Sequence, residues 1–215
     1  MNFVPRTLTQ KAFLTLLNAP SIPVVLASGP AGTGKTLLAC SVGAQQLALG
    51  KVQRLIVTRP AVSVDEQHGY LPGTLDQKMD PWTRPVFDSL RRFYGPKKIA
   101  QMRTDGIVEV CPLAYMRGRT FENSWIIADE MQNSTPSQMR MVLTRIGEGS
   151  KLVLTGDPEQ HDRGYDQNGL IDFLTRLGSS SESIQHIKFT DDDIVRHPVI
   201  KEILEVYKYQ SPTME

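Results

Sequence analysis

Short apolar runs recur along the chain, each closed by polar or turn residues: Val24 to Ser28, Arg54 to Thr58, Ile107 to Cys111, Trp125 to Ala128, Leu152 to Thr155 and Ile184 to Phe189. The first of these are continuously apolar instead of alternating, the pattern of parallel strands buried on both faces. Helical segments fall between several of them. The clearest begins after Asn133, where Thr135 offers a capping hydroxyl, Pro136 takes the first helical position and Gln138 the third. Met139, Val142, Leu143 and Ile146 then follow i, i+3, i+4, i+7 spacing, and Gly147 stands where a C-terminal glycine cap belongs. The same spacing predicts a last helix through Ile200, Ile203, Leu204 and Tyr207, followed by a frayed tail at 208–215. Strands alternating with helices predict an α/β fold with a mainly parallel β-sheet flanked by helices.

The stretch from Pro60 to Pro96 interrupts this rhythm. Pro60, Pro72, Pro81, Pro85 and Pro96, with the turn Leu71-Pro72-Gly73, read as a long punctuated insertion that faces a substrate or a neighbour. Residues 1–207 are then one domain carrying an insertion at about 60–96, a size that fits the 215 residues.

Composition narrows the class. Apolar residues make up 40% and charged residues 22%, and no apolar run exceeds four, which excludes a disordered chain and a membrane helix. The N-terminus lacks a basic region followed by an apolar stretch, so the expected location is the cytoplasm, the host's if the gene is viral. The formal charge of +1 argues against a protein that coats DNA by bulk charge and leaves local basic patches open. Cys40 and Cys111 read as buried reduced thiols. His68, His161, His186 and His197 have no zinc-like spacing, so Mg²⁺ is the only metal expected.

The chemistry starts at Gly29-Pro30-Ala31-Gly32-Thr33-Gly34-Lys35-Thr36, which satisfies G-x-x-x-x-G-K-[ST]. A predicted strand precedes it and a predicted helix follows, the setting that phosphate binding needs. The glycines leave backbone N–H groups free to wrap phosphates at a helix N-terminus. Lys35 is expected to reach the β- and γ-phosphates and the Thr36 hydroxyl to ligate Mg²⁺.

Trp125-Ile126-Ile127-Ala128-Asp129-Glu130 is an apolar strand ending in two carboxylates. Alone it is an exposed turn; downstream of a phosphate loop, Asp129 is a ligand for Mg²⁺ and Glu130 the base that activates water. A small-molecule kinase must avoid activating water, so the pair favours hydrolysis. A third strand runs into Thr155, Asp157 and Gln160, which the parallel sheet brings to the same edge. Gln160 is read as a contact to the γ-phosphate or the lytic water, whereas Asp157 either joins it or caps a turn before Pro158. Gln77-Lys78-Met79-Asp80 imitates a guanine-specificity box but has no strand before it, and is set aside.

Together these motifs resemble the PhoH-like proteins, phosphate-starvation-inducible ATPases related to the first domain of superfamily 1 helicases. The resemblance extends from about Pro5 to Ile203 and includes blocks that a generic phosphate-loop ATPase lacks: Gly69-Tyr70-Leu71-Pro72-Gly73, Asp80-Pro81-Trp82-Thr83-Arg84-Pro85, the segment Pro112 to Thr120, and Asp193-Ile194-Val195-Arg196-His197. The acid block is Asp129-Glu130-Met131-Gln132-Asn133, with methionine where the family usually has alanine, and His161 stands where an apolar residue is more usual.

The resemblance implies a single RecA-like P-loop NTPase domain that binds ATP and Mg²⁺, with turnover coupled to single-stranded RNA or DNA in a homo-oligomeric ring, a hexamer favoured. It implies that Gln10 reads adenine, that Arg59 in Thr58-Arg59-Pro60 grips a nucleic-acid backbone, and that Arg196 completes the ATP site. With no second motor domain expected here, Arg196 or Arg117 would reach a neighbouring subunit's ATP. Arg117 and Arg119, flanking Gly118, suit nucleic acid or a subunit contact equally. The alternative reading is a nucleotide-dependent assembly or regulatory switch that does not translocate nucleic acid.

Overall fold

The computed structural model describes residues 4–60, 75–160, 168–178, 181–195 and 199, without the side chains of 75–82. The strands are β1 (Val24–Ser28), β2 (Arg54–Thr58), β3 (Val108–Val110), β4 (Ser124–Ala128), β5 (Lys151–Gly156) and β6 (Ile184–Lys188). They form one sheet in the order β3-β2-β4-β5-β1-β6, and every pairing is parallel. The helices are α1 (Leu8–Asn18), α2 (Lys35–Ala48), α3 (Leu75–Tyr94), α4 (Pro96–Thr104), α5 (Pro136–Leu143) and α6 (Gly169–Leu177).

Alternation along each strand divides the core in two. Val25, Ala27, Leu55, Val57, Ile127 and Val153 pack against α1 to α4, whereas Val24, Leu26, Ile56, Ile126, Leu152 and Leu154 pack against α5 and α6. Both faces of the sheet are therefore covered, which is why the strands read as unbroken apolar runs. Cys40 and Cys111 are free and buried, one in each core. No helix among the described residues is long and apolar enough to cross a membrane.

Three expectations need correction. The stretch about 60–96 is not simply an irregular insertion, because α3 occupies 20 residues of it with Pro81 and Pro85 inside. Proline removes a helical donor, but Thr83, Val86, Phe87 and Leu90 are buried at i, i+3, i+4, i+7 spacing, and their burial against α2 holds the helix together. Secondly, α5 stops at Leu143 instead of continuing through Ile146. Ile146 forms a bridge with Phe121, and Gly147 N–H donates to Phe121 O at 2.8 Å, so the chain has already turned back to enter β5. Thirdly, β3 is shorter than expected, with Cys111 just beyond its end. The capping box of α5 forms as predicted, Thr135 Oγ1 accepting from Gln138 N and Gln138 Oε1 from Thr135 N. The helix expected through Ile200, Ile203, Leu204 and Tyr207, and the tail, lie outside the described residues.

Trp125 shows how tightly α2 is seated. Its Nε1–H donates to Ala39 O at 3.1 Å, and a Cβ at Gly43 would stand 2.5 Å from the indole Cδ1. Gly43→Ala is expected to lower unfolding stability by about 1–3 kcal/mol despite alanine's better helix propensity, because the indole has no room to retreat. Chemical denaturation checks this, and an unchanged midpoint would contradict it.

Lys151 is buried at the start of β5. Its Nζ donates to Leu16 O at 2.7 Å and Ala19 O at 2.9 Å, closing the C-terminus of α1. Burial lowers its pKa from 10.5 to about 8. Between those values the unfolded chain binds the proton and the folded chain does not, so this group's contribution to stability rises with pH from about 8 to 10.5. Denaturation across that range should give a less positive slope in Lys151→Met than in the parent chain.

Candidate active site

β1 runs straight into the phosphate loop. Gly29 has φ +129°, and a Cβ there would lie 2.3 Å from Phe189 O, so only glycine lets the chain leave the sheet at this point. Gly34, at φ +87°, caps α2 and turns the first helical N–H groups toward the loop. Thr33 is fully buried and its Oγ1 donates to Pro30 O at 3.0 Å. Lys35 folds back over the loop, its Nζ 2.7 Å from Gly29 O and 2.8 Å from Pro30 O.

The acid pair faces this loop across the strand ends. Asp129 N–H donates to Thr58 O at 2.9 Å as β4 ends, and the carboxylate is buried. Its Oδ1 accepts from Thr36 Oγ1 at 2.7 Å and from Thr155 Oγ1 at 2.5 Å, so β4, the start of α2 and β5 converge on one oxygen. Glu130 adopts φ +55°, ψ 42°, a left-handed conformation that non-glycine residues rarely take. Its Oε2 accepts from Gln132 Nε2 at 2.6 Å.

Lys35, Thr36, Asp129, Glu130 and Gln160 line a single cleft of about 310 Å³, together with Ala31, Gly32 and Gly34 of the loop. Five side chains chosen from sequence thus come together. Asp157 caps the turn, its Oδ1 accepting from Glu159 N at 3.1 Å, and it also lines the cleft, as does Gln160. Arg59, at the end of β2, places its guanidinium 3.9 Å from Asp129 Oδ2 and 3.8 Å from Glu130 Oε1, beside the acid pair.

Gln10 is buried but does not line the cleft. Its Nε2 donates to Thr33 O at 3.0 Å and its Oε1 accepts from Arg6 N at 2.8 Å, tying α1 to the phosphate loop. Arg117 is exposed beyond β3, and Arg119 forms a two-pronged ion pair with Glu109. Arg196 lies outside the described residues, although Val195 N–H donates to Gly32 O at 3.1 Å.

Several contributors escape the motif reading. Gln132 is buried and links Glu130 to the turn after β5, since its Oε1 accepts from Asp157 N at 3.1 Å. Pro85 and Ser89 bring α3 into the cleft wall. Beneath the loop, Ser28 Oγ meets His186 Nε2 at 2.7 Å, and burial followed by the Lys188 charge holds His186 below its ordinary pKa. Asp193 supports the other side: burial opposes its ionisation, yet hydrogen bonds from Thr190 N–H and from the Thr7, Thr9 and Thr190 hydroxyls keep its carboxyl below the usual range. Gln132 had a signal in its place two residues after Glu130; Pro85 and Ser89 had none, because the path of α3 depends on packing.

Comparison with known proteins places the chain in a family. The family model described as PhoH-like protein matches residues 2–208. The PhoH-like protein of Synechocystis sp. is 43% identical over 209 residues, covering 97% of this chain and 63% of that protein. The Bacillus subtilis PhoH-like protein is 39% identical over 206 residues, with coverages of 96% and 64%, and Escherichia coli PhoH is 42% identical over 188 residues, with coverages of 86% and 52%. The chain therefore spans roughly half to two thirds of the length of these relatives. Among solved structures, the large terminase of a thermophilic bacteriophage, determined in complex with ADP, superposes with a TM-score of 0.57 at 15% identity over 94% of this chain and 50% of the terminase. That likeness concerns the fold, a RecA-like P-loop NTPase sheet with flanking helices. By the match over 2–208 and the identities near 40%, the chain belongs to the PhoH-like protein family.

Proposed function

We propose that this chain is a Mg²⁺-dependent ATPase whose turnover is coupled to single-stranded RNA or DNA. One observation carries the reading: Thr36 and Asp129 meet at 2.7 Å beside a glycine cradle, with Lys35 and Glu130 on the same cleft. The two oxygens fit Mg²⁺, a hard ion that takes few protein ligands and fills its octahedron with water and phosphate oxygens. When bound, Mg²⁺ offsets charge on the β- and γ-phosphates.

In this reading the loop N–H groups and the α2 N-terminus hold the phosphates, and Lys35 turns its protons from Gly29 O and Pro30 O toward them. Glu130 accepts the proton of the attacking water, held in place by Gln132. Gln160 contacts the γ-phosphate or that water, and Gln132 ties the base to the same turn through Asp157 N–H. Gln10 braces the loop and retains one amide proton and one lone pair for an adenine edge. Arg196 completes the ATP site; the Val195 bond to Gly32 favours reach from its own subunit, and the alternative donor is a neighbour in a hexameric ring. Arg59 serves the acid pair first and a nucleic-acid backbone second.

Phosphate release measured with and without single-stranded RNA at two salt concentrations tests the coupling, alongside mass measurements with and without ATP. Stimulation that weakens as salt rises is expected. Equal rates with and without RNA, combined with an ATP-dependent mass change, would leave the assembly switch in its place.

A further inference from the structure

We infer that Tyr115 is a base-stacking platform for a single nucleic-acid strand and that Arg117 beside it contacts the strand's phosphates. This deepens the proposed coupling and rests on it. Tyr115 is 60% exposed and is the one aromatic among the described residues that is exposed; Phe93, Tyr94 and Phe173 are half-buried, and Phe13, Phe87, Phe121, Trp125 and Phe189 are buried. A ring left in water at a fixed place on the surface offers the π-face on which any base stacks.

The local backbone fixes the ring's position. Tyr115 N–H donates to Pro112 O at 2.9 Å, closing the 3₁₀ turn Leu113–Met116, and Arg119 N–H donates to Met116 O at 3.1 Å to close the next. Leu113 and Met116 are buried in the core beneath α5, leaving Tyr115 and Arg117 turned outward. Gly118, at φ +78°, makes the return. Arg119 is then clamped by Glu109 and stacked 4.6 Å above Phe121, while Arg145 Nη1 donates to its carbonyl at 3.1 Å. The loop is thus preorganised, which lowers the ordering cost of binding.

Charge and placement point to nucleic acid. Arg117, Arg119 and Arg145 gather here, and Glu109 neutralises only Arg119. Arg117 and Tyr115 make no side-chain hydrogen bond or ion pair among the described residues. The loop leaves the carboxyl end of β3, the same edge of the parallel sheet from which the ATP cleft opens. A strand lying on Tyr115 therefore runs along the edge that carries Arg59 and the acid pair.

The test is fluorescence anisotropy of labelled single-stranded RNA and DNA oligonucleotides at several salt concentrations. Tyr115→Ala is expected to bind roughly ten- to a hundredfold more weakly with an unchanged salt slope, and Tyr115→Phe to bind like the parent. Arg117→Ala should flatten the plot of log affinity against log salt by about 0.7. ATP hydrolysis without oligonucleotide should be unchanged in Tyr115→Ala and Tyr115→Phe, which reports that they fold; an unchanged melting temperature reports it for Arg117→Ala. If the parent binds and Tyr115→Ala binds equally well, the platform is wrong and the coupling stands. If the parent binds neither oligonucleotide, the coupling fails and the platform with it. A fall in oligomer mass in Tyr115→Ala would assign the ring to a contact between copies of the chain and overturn the inference.

Discussion

Glu130→Gln should hydrolyse ATP about 10²- to 10⁴-fold more slowly than the parent while binding ATP with similar affinity, the loss typical of removing a general base. The substitution is nearly isosteric. Gln132 Nε2 donates to Glu130 Oε2, and a glutamine side-chain oxygen still accepts that bond, so the link onward to Asp157 survives. Asp129 keeps its bonds from Thr36 and Thr155, neither of which involves Glu130. What disappears is the negative charge and with it the ability to take a proton from water. Phosphate release and equilibrium binding of a fluorescent ATP analogue, measured on the same preparation, separate the two effects. Unaltered hydrolysis would move the base elsewhere on the cleft.

Lys35→Ala should fail at the earlier step. Truncating a charged partner of a buried hydrogen-bonded pair costs about 2–5 kcal/mol in bound complexes, so ATP affinity should fall by roughly thirtyfold or more. The same change strips Gly29 O of its donor and leaves Pro30 O only the Thr33 hydroxyl, which adds a stability loss of about 1–3 kcal/mol. Lys35→Met fills more of the space and serves as the control for packing. If both variants bind ATP as the parent does, Lys35 braces the loop and does not hold phosphate. Thermal denaturation with and without ATP reads both quantities, since a ligand that binds only the folded chain raises its melting temperature.

Much of this site could be read from the sequence because its parts are local. A glycine loop between a strand and a helix, or a carboxylate pair at a strand end, carries its structure in neighbouring residues, and parallel pairing then gathers all strand ends on one edge. That logic placed Lys35, Thr36, Asp129, Glu130 and Gln160 on a common cleft. It did not find α3, whose prolines suggest interruption and whose helix is held by the burial of Val86, Phe87 and Leu90. Nor did it find the end of α5, set by the Phe121–Ile146 bridge between segments far apart in sequence. Gln10 and Arg59 illustrate the remaining gap. Their side chains are directed by tertiary partners, Thr33 O and the acid pair, that no spacing rule supplies.

These contacts also bear on how the site is coupled. Gln132 spans Glu130 and the turn carrying Gln160, and the peptide of Val195 rests on Gly32, so the cleft and its loop are fastened to three segments that follow different strands.

The most direct test of the central claim is phosphate release from ATP by the parent chain as Mg²⁺ is titrated from zero in the presence of a chelator. The account predicts no release while free Mg²⁺ is absent and a saturable rise as it is restored. Release that is indifferent to the chelator, or absent at every Mg²⁺ concentration, would contradict it.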